Sequence, residues 1–298
     1  MKQIIGHTTL NRVRQKIDDQ ATRRIQHMTF EEAIQTTIKR FPFEGYISAV
    51  GAKTGAYATV ATAVLRHLRH GSKILDFGCG PCDKTAVLQF LEFQCSGYDD
   101  LQDEWHKMPG SREKIRAFAK ECGIDFRLAK DGVLPFEKHS FDMVMVNDVL
   151  EHLHDSPRDV LNDLLELVKP EGLLLVTVPN AVNIRKRLDV CFGKTNLPRF
   201  ESYYWCPGPW RGHIREYVRD DLVRLAEYLN LEVLDIRACD HMLEKLPAAV
   251  RPIYLFVTKI VTGWKDSWLL VARKRPGWTS RKTLPEDELA RILGKSPA

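Results

Sequence analysis

No stretch of this 298-residue chain is long and apolar enough to suggest a membrane crossing. The best candidate, 248–264, is broken by Arg251, Pro252 and Lys259. It falls short of the roughly 20 apolar residues a spanning helix needs. No export signal is expected either, since residues 1–19 are polar and charged. Cysteine does not come in a paired pattern: seven residues, scattered, read as reduced thiols and exclude a disulfide framework. Neither sign of charge dominates, with 44 Lys and Arg against 39 Asp and Glu and a net charge of +5. Much of the excess lies in two local runs, 12–24 and 273–282. That balance permits an anionic partner but does not call for nucleic acid. No internal repeat and no RNA-binding module is visible. What remains is an ordinary globular composition, 44% hydrophobic and 28% charged, and a chain able to bury a substantial core. A cytoplasmic protein is the expectation.

The stretch the rest is organised around is KILDFGCGPCD at 73–83. A short apolar run breaks at Gly78 and Gly80, and a helical pattern opens at Asp83, which predicts strand, glycine turn and helix. The glycines let the backbone turn tightly and let a ligand approach bare main chain, and the helix start offers unpaired N–H groups. Asp76 adds a negative charge at the strand end, which suits a cationic or hydroxyl-bearing ligand. A dinucleotide turn would need a third glycine where Asp83 stands, and an acidic side chain is unfavourable beside a pyrophosphate. Cys79 and Cys82 have the C-x-x-C form of redox proteins. However, the acidic, glycine-bearing strand end and the seventy residues before it do not fit that class, and a packed small residue at a helix start is the plainer role.

Residues 1–70 predict helices and no strand: 28–39 behind a Thr29-x-x-Glu32 capping box, a glycine-rich loop at 45–55, and 57–68. They would form a packing layer or a lid, with Tyr46 or Tyr57 facing a ligand. From residue 73 strands alternate with helices. Strands are expected at 74–77, 95–98, 126–129, 141–147, 172–178, 231–238 and 267–273. Helices are expected at 84–92, 111–122, 157–168 and 219–229. The pattern predicts an α/β fold with a Rossmann-like, doubly wound, mostly parallel seven-stranded sheet and an antiparallel last strand. Polar residues cluster just past the strand ends, where such sheets bind ligands. They are Asp76, Asp99, Asp131, Asn147 and Asn180. The segment 181–212, rich in aromatics and proline, reads as a helical and aromatic cap that covers the substrate. The segment 246–262 reads as an apolar helix with a basic edge, suited to core or dimer packing, with membrane-surface contact as the alternative. The expected organisation is a helical extension at 1–70, a main domain at 71–275 and a polar, loosely held tail at 276–298.

Five strings in order carry a resemblance: ILDFGCG at 74–80, GYD at 97–99, LPF at 134–136 with SFD at 140–142, NDVLEH at 147–152, and LVKPEG at 167–172. In this order they resemble the class I S-adenosylmethionine-dependent methyltransferases, in particular their small-molecule and glycan-cluster branch. The resemblance covers about residues 55–240. It implies S-adenosylmethionine as cofactor and S-adenosylhomocysteine as product. By it, Gly78 and Gly80 pass beneath the methionine part, and Asp76 sits near the ammonium. Asp99 accepts the ribose hydroxyls, and Asp131 bonds the adenine amine with Gly132 backing the ring. Asn147 and Asp148 line the floor near the sulfonium.

Methyl transfer from a sulfonium mainly needs alignment of donor and acceptor and removal of a proton from the attacking group. His213 and His152 are the candidate bases. The string GHIREY at 212–217 resembles one recurring in methyltransferases of surface-glycan pathways. Tyr204, Trp210, Arg211, Arg215 and Tyr217 are the candidate acceptor contacts. The set Asp148, Glu151 and His152 resembles the metal-binding group of ubiquinone-pathway O-methyltransferases, with Asp in place of Glu, and could hold a divalent cation. The expectation is O-methylation of a small molecule or sugar precursor without metal. The alternatives are a cofactor-binding sensor or assembly protein, and a quinone-type metal-assisted enzyme. No Asn/Asp-Pro-Pro-aromatic motif follows the fourth strand, so amino-methylation of nucleic acid is not expected.

Overall fold

A computed structural model describes residues 27–48, 51–130, 132–195 and 197–294. The basic run 12–24 and Asp131 lie outside the described residues. Seven strands form one sheet: β1 (Lys73–Phe77), β2 (Gln94–Asp99), β3 (Asp125–Leu128), β4 (Phe141–Asn147), β5 (Val168–Pro179), β6 (Leu231–Cys239) and β7 (Ser267–Lys274). Their order is β3-β2-β1-β4-β5-β7-β6. Neighbours run parallel except where β7 meets β5 and β6. The chain winds outward from β1 to β3 and then returns to lay β4 beside β1. That reversal leaves a crevice at the C-terminal ends of β1 and β4, where ligands of open α/β sheets bind.

Helices cover both faces. On one lie α1 (Phe30–Arg40), α2 (Gly51–Thr54), α3 (Ala56–His67), α4 (Asp83–Phe90) and α5 (Ser111–Glu121), around Ile34, Val64, Leu88, Phe118 and Met145. On the other, α6 (Pro157–Leu167) and α9 (Arg219–Tyr228) pack Leu161, Leu164 and Leu222 against Val144 and Val176. β4 and β5 are therefore buried on both faces, which is why they read as apolar runs without alternation. The first helix begins as its capping box predicts: Thr29 accepts from the Glu32 N–H, and the Glu32 carboxylate accepts from the Thr29 N–H at 2.7 Å.

Two expectations are corrected, the loop at 45–55 and the loosely held tail. Part of the glycine-rich loop at 45–55 is the short helix α2. The insert after β5 contains α7 (Ile184–Cys191) and α8 (Phe200–Tyr204), in keeping with the helical and aromatic cap expected there. The described part of the tail, 276–294, is polar but not loose. Trp278 Nε1 donates to the Leu229 carbonyl at 2.7 Å, the Arg281 N–H donates to Asn162 Oδ1 at 2.7 Å, and α11 (Glu286–Ile292) follows. Hydrogen bonds hold a segment that a count of apolar residues would leave free. The apolar helix expected at 246–262 is α10 (Arg251–Ile260). It buries Tyr254 and Thr258 but exposes Ile253, Phe256 and Ile260. No helix among the described residues is long and apolar enough to cross a membrane.

Candidate functional site

The turn after β1 is built on two glycines in the left-handed region that play different parts. Gly78 has φ +72, and a Cβ there would stand 2.4 Å from a Val149 methyl, so the position is closed to any side chain. Gly80 has φ +53 but faces open space, with no atom within 4 Å of a Cβ placed on it. Its N–H donates to Asp99 Oδ2 at 2.8 Å, and the Leu101 N–H donates to Oδ1 at 2.7 Å. The strand end of β2 is thereby tied to the turn after β1. Each Asp99 oxygen keeps acceptor capacity for a ligand. Burial raises the Asp99 pKa, and these two backbone bonds oppose it.

Asp76 is buried, with Thr85 Oγ1 donating at 2.6 Å and Asn147 Nδ2 at 3.3 Å. Burial pushes its carboxyl up to about 6 against those bonds and the nearby Lys84 charge. Asp148, with φ +55, takes Lys84 Nζ at 3.3 Å, Thr177 Oγ1 at 3.2 Å and His241 Nδ1 at 3.5 Å. Burial alone would raise its pKa, but Lys84 and His241 outweigh that and hold the carboxyl well below the ordinary range. The Tyr57 hydroxyl donates to Asp83, so α3 reaches the start of α4. Gly132 has φ +67 and open space where a Cβ would be. Cys79 and Cys82 are buried with sulfurs 3.6 Å apart, and burial pushes the Cys79 thiol up, away from redox reactivity. A cavity of about 810 Å³ lies at the opposite ends of the strands, beside Lys73, Gln94, Asp125 and Phe141, away from these groups.

A second cluster stands past β4. Glu151 is 1% exposed, on the turn Leu150–His152. Burial, with the Asp148 charge adding to it, pushes its carboxyl up to about 8. Its carbonyl accepts the Ile214 N–H at 2.6 Å, which brings the chain after the insert alongside. The rings of His152 and His213 then meet edge to face, centroids 5.0 Å apart. His152 Nδ1 lies 2.7 Å from the Arg211 carbonyl, and His213 Nδ1 lies 2.8 Å from Glu216 Oε1. Glu216 also takes Lys186 Nζ. Burial, His152 and Lys186 together hold His213 down at about 4, so it is neutral at pH 7.

The two candidate bases are therefore brought together. The candidate acceptor contacts are more dispersed. Arg211 bridges Asp103 at 3.1 Å and Asp100 at 3.3 Å, next to Asp99. Trp210 Nε1 donates to the His213 carbonyl at 3.3 Å. Tyr204 is exposed on α8, and Arg215 pairs outward with Asp221 at 3.4 Å. Tyr217 lies in the core, its hydroxyl donating to the Leu150 carbonyl at 3.4 Å. Sequence reasoning missed Lys84 and His241, whose partner Asp148 lies on another element. Glu216, three residues after His213, was within reach of a spacing argument.

Most of this chain has a counterpart among known proteins. A family model described as a methyltransferase domain matches residues 53–236, more than half of the chain. The chain belongs to this family. An uncharacterised methyltransferase of Schizosaccharomyces pombe is 32% identical over 120 residues, 38% of this chain and 42% of the relative. A demethylmenaquinone methyltransferase of Bacillus cytotoxicus is 26% identical over 154 residues, 48% of this chain and 64% of the relative. The chain thus matches about half the length of these relatives. A chain of the solved complex containing the Haloferax volcanii Trm112 methyltransferase activator has a TM-score of 0.52 at 16% identity. It covers 74% of this chain and 90% of its own, a likeness that concerns the fold alone.

Proposed function

We propose that this methyltransferase-family chain moves a methyl group from S-adenosylmethionine to an oxygen of a small acceptor, a sugar or glycan precursor being the favoured class. The observation that carries the reading is the open, acid-rimmed turn: bare backbone at Gly80 beside an Asp99 fixed by two N–H donors. A carboxylate held this way suits paired ribose hydroxyls. The remaining placements are Gly78 under the methionine part, Asp76 toward its ammonium, Asp131 and Gly132 at the adenine, and Asn147 and Asp148 on the floor. The cofactor supplies an already activated methyl, so the chain's own work is alignment and deprotonation. His213, neutral at pH 7 and beside His152, takes the acceptor's proton, and Trp210 and Arg211 border the acceptor's approach.

Two measurements test this. Calorimetry should show S-adenosylhomocysteine binding to the wild type, weakened roughly 10- to 100-fold in Asp99→Ala as charge-assisted bonds are lost. Absence of any binding heat with folded wild type removes the proposal. Incubated with labelled S-adenosylmethionine and a metabolite extract, His213→Ala should transfer methyl about 100-fold more slowly at unchanged cofactor affinity. Unchanged rates remove His213 as the base. A protein that binds cofactor but methylates nothing in the extract would instead be a sensor or assembly component.

A further inference from the structure

We propose that Glu151, His152 and His213 form a site for one divalent transition-metal ion. One ligand atom from each lies within 4.8 Å of the others. Both imidazoles are held from behind: His152 Nδ1 against the Arg211 carbonyl at 2.7 Å, His213 Nδ1 against the Glu216 carboxylate at 2.8 Å. A carbonyl can only accept, so the His152 proton sits on Nδ1, and a carboxylate on His213 favours the same tautomer. Each Nε2 then presents a lone pair, and neither has a hydrogen-bond partner among the described residues. Carbonyl or carboxylate support of this kind is what stands behind metal-ligating histidines.

The third member supplies an independent observation. Glu151 is 1% exposed, its Oε2 has no partner among the described residues, and its Oε1 lies 4.0 Å from His152 Nε2. A carboxyl oxygen in the interior without a partner is an unmet polar position, which a bound cation would complete. Two imidazoles and one carboxylate make up the donor set of two-histidine-one-carboxylate sites. Ligands about 2.0–2.2 Å from an ion stand roughly 3 Å from one another, so the cluster must draw in by an ångström or more. The side chains of His152 and His213 are 40% and 34% exposed, with His152 ending the single 3₁₀ turn Leu150–His152 and His213 in irregular chain, which leaves their rings room to turn inward. Imidazole donors favour Zn²⁺, Co²⁺ or Fe²⁺ over Mg²⁺ or Ca²⁺.

This set is not the one the string NDVLEH suggests. Asp148 is engaged with Lys84, His241 and Thr177. His213, from beyond the insert, stands in its place. Metal binding does not depend on the methyl-transfer reading, but the ion's use does. An ion held there would polarise the acceptor oxygen and lower its pKa, so that in the metal-loaded chain the ion takes over the deprotonation that His213 performs in the metal-free one.

The test is titration of chelator-stripped full-length protein with Co²⁺, followed by its visible absorption bands. One equivalent should bind per chain and be displaced by Zn²⁺. Glu151→Gln, His152→Ala and His213→Ala should each weaken binding at least 10-fold, with near-ultraviolet circular dichroism unchanged. Folded wild type that takes up no Co²⁺ overturns the inference, as does binding that survives His213→Ala. The two readings separate cleanly. Cobalt binding without S-adenosylhomocysteine binding supports the metal site and removes the cofactor reading, and the reverse result removes the metal site alone.

Discussion

At the scale of single residues, the two turn glycines separate folding from ligand access. Both have positive φ, so an alanine at either is strained by roughly 1 kcal/mol. At position 78 the new methyl also meets Val149 at 2.4 Å, whereas at 80 it enters open space. Gly78→Ala should therefore lower unfolding free energy by about 2–3 kcal/mol in urea titrations, and Gly80→Ala by about 1. Calorimetry with S-adenosylhomocysteine should reverse the emphasis, since Gly80→Ala fills the proposed ligand space while leaving the fold intact. Equal stability losses would mean the Val149 contact yields easily.

Among the elements, α1 shows how a short signal in sequence becomes a packed helix. Its box is reciprocal, and the face it starts carries Ala33, Ile34 and Thr37 into the core. Thr29→Ala should cost about 1 kcal/mol in chemical denaturation, because the Glu32 N–H loses its side-chain acceptor and the Glu32 carboxylate loses the Thr29 hydroxyl. A loss below a few tenths would show the helix held by packing alone. The insert is the opposite case. Its local pattern gave only aromatics and prolines, and α7 and α8 bury no residue of their own. The position of α7 follows from the bond of Asn180 to the Lys265 carbonyl and of Lys186 to Glu216, contacts between distant segments to which periodicity is blind.

For the whole molecule, the buried acid at the end of β1 ties stability to pH. Asp76 titrates near 6 in the folded chain against an ordinary 3.8. A raised acid pKa means the folded state holds the proton longer, so this group's contribution to stability is fullest below about pH 3.8 and falls as pH rises to about 6. The difference is worth about 3 kcal/mol. Melting curves of cofactor-free protein should show that Asp76→Asn gains on wild type across pH 4–6 and keeps the gain above it. A gain that does not vary with pH would deny the linkage. If the ammonium of the proposed cofactor docks beside Asp76, bound S-adenosylhomocysteine should shrink the advantage.

By itself the sequence determined the alternation of strands and helices, the glycine turn and the acids at strand ends. These are encoded by neighbours within a few residues, through side-chain periodicity and backbone permissiveness. It also carried the family, because the five strings are local and ordered. Which charges meet was decided only by tertiary structure. Asp148 is drawn to Lys84 and His241, and Glu151 and His152 receive His213, through sheet order and the return of the chain past the insert. Those meetings join residues far apart along the chain, and no local pattern records which strand will lie beside which.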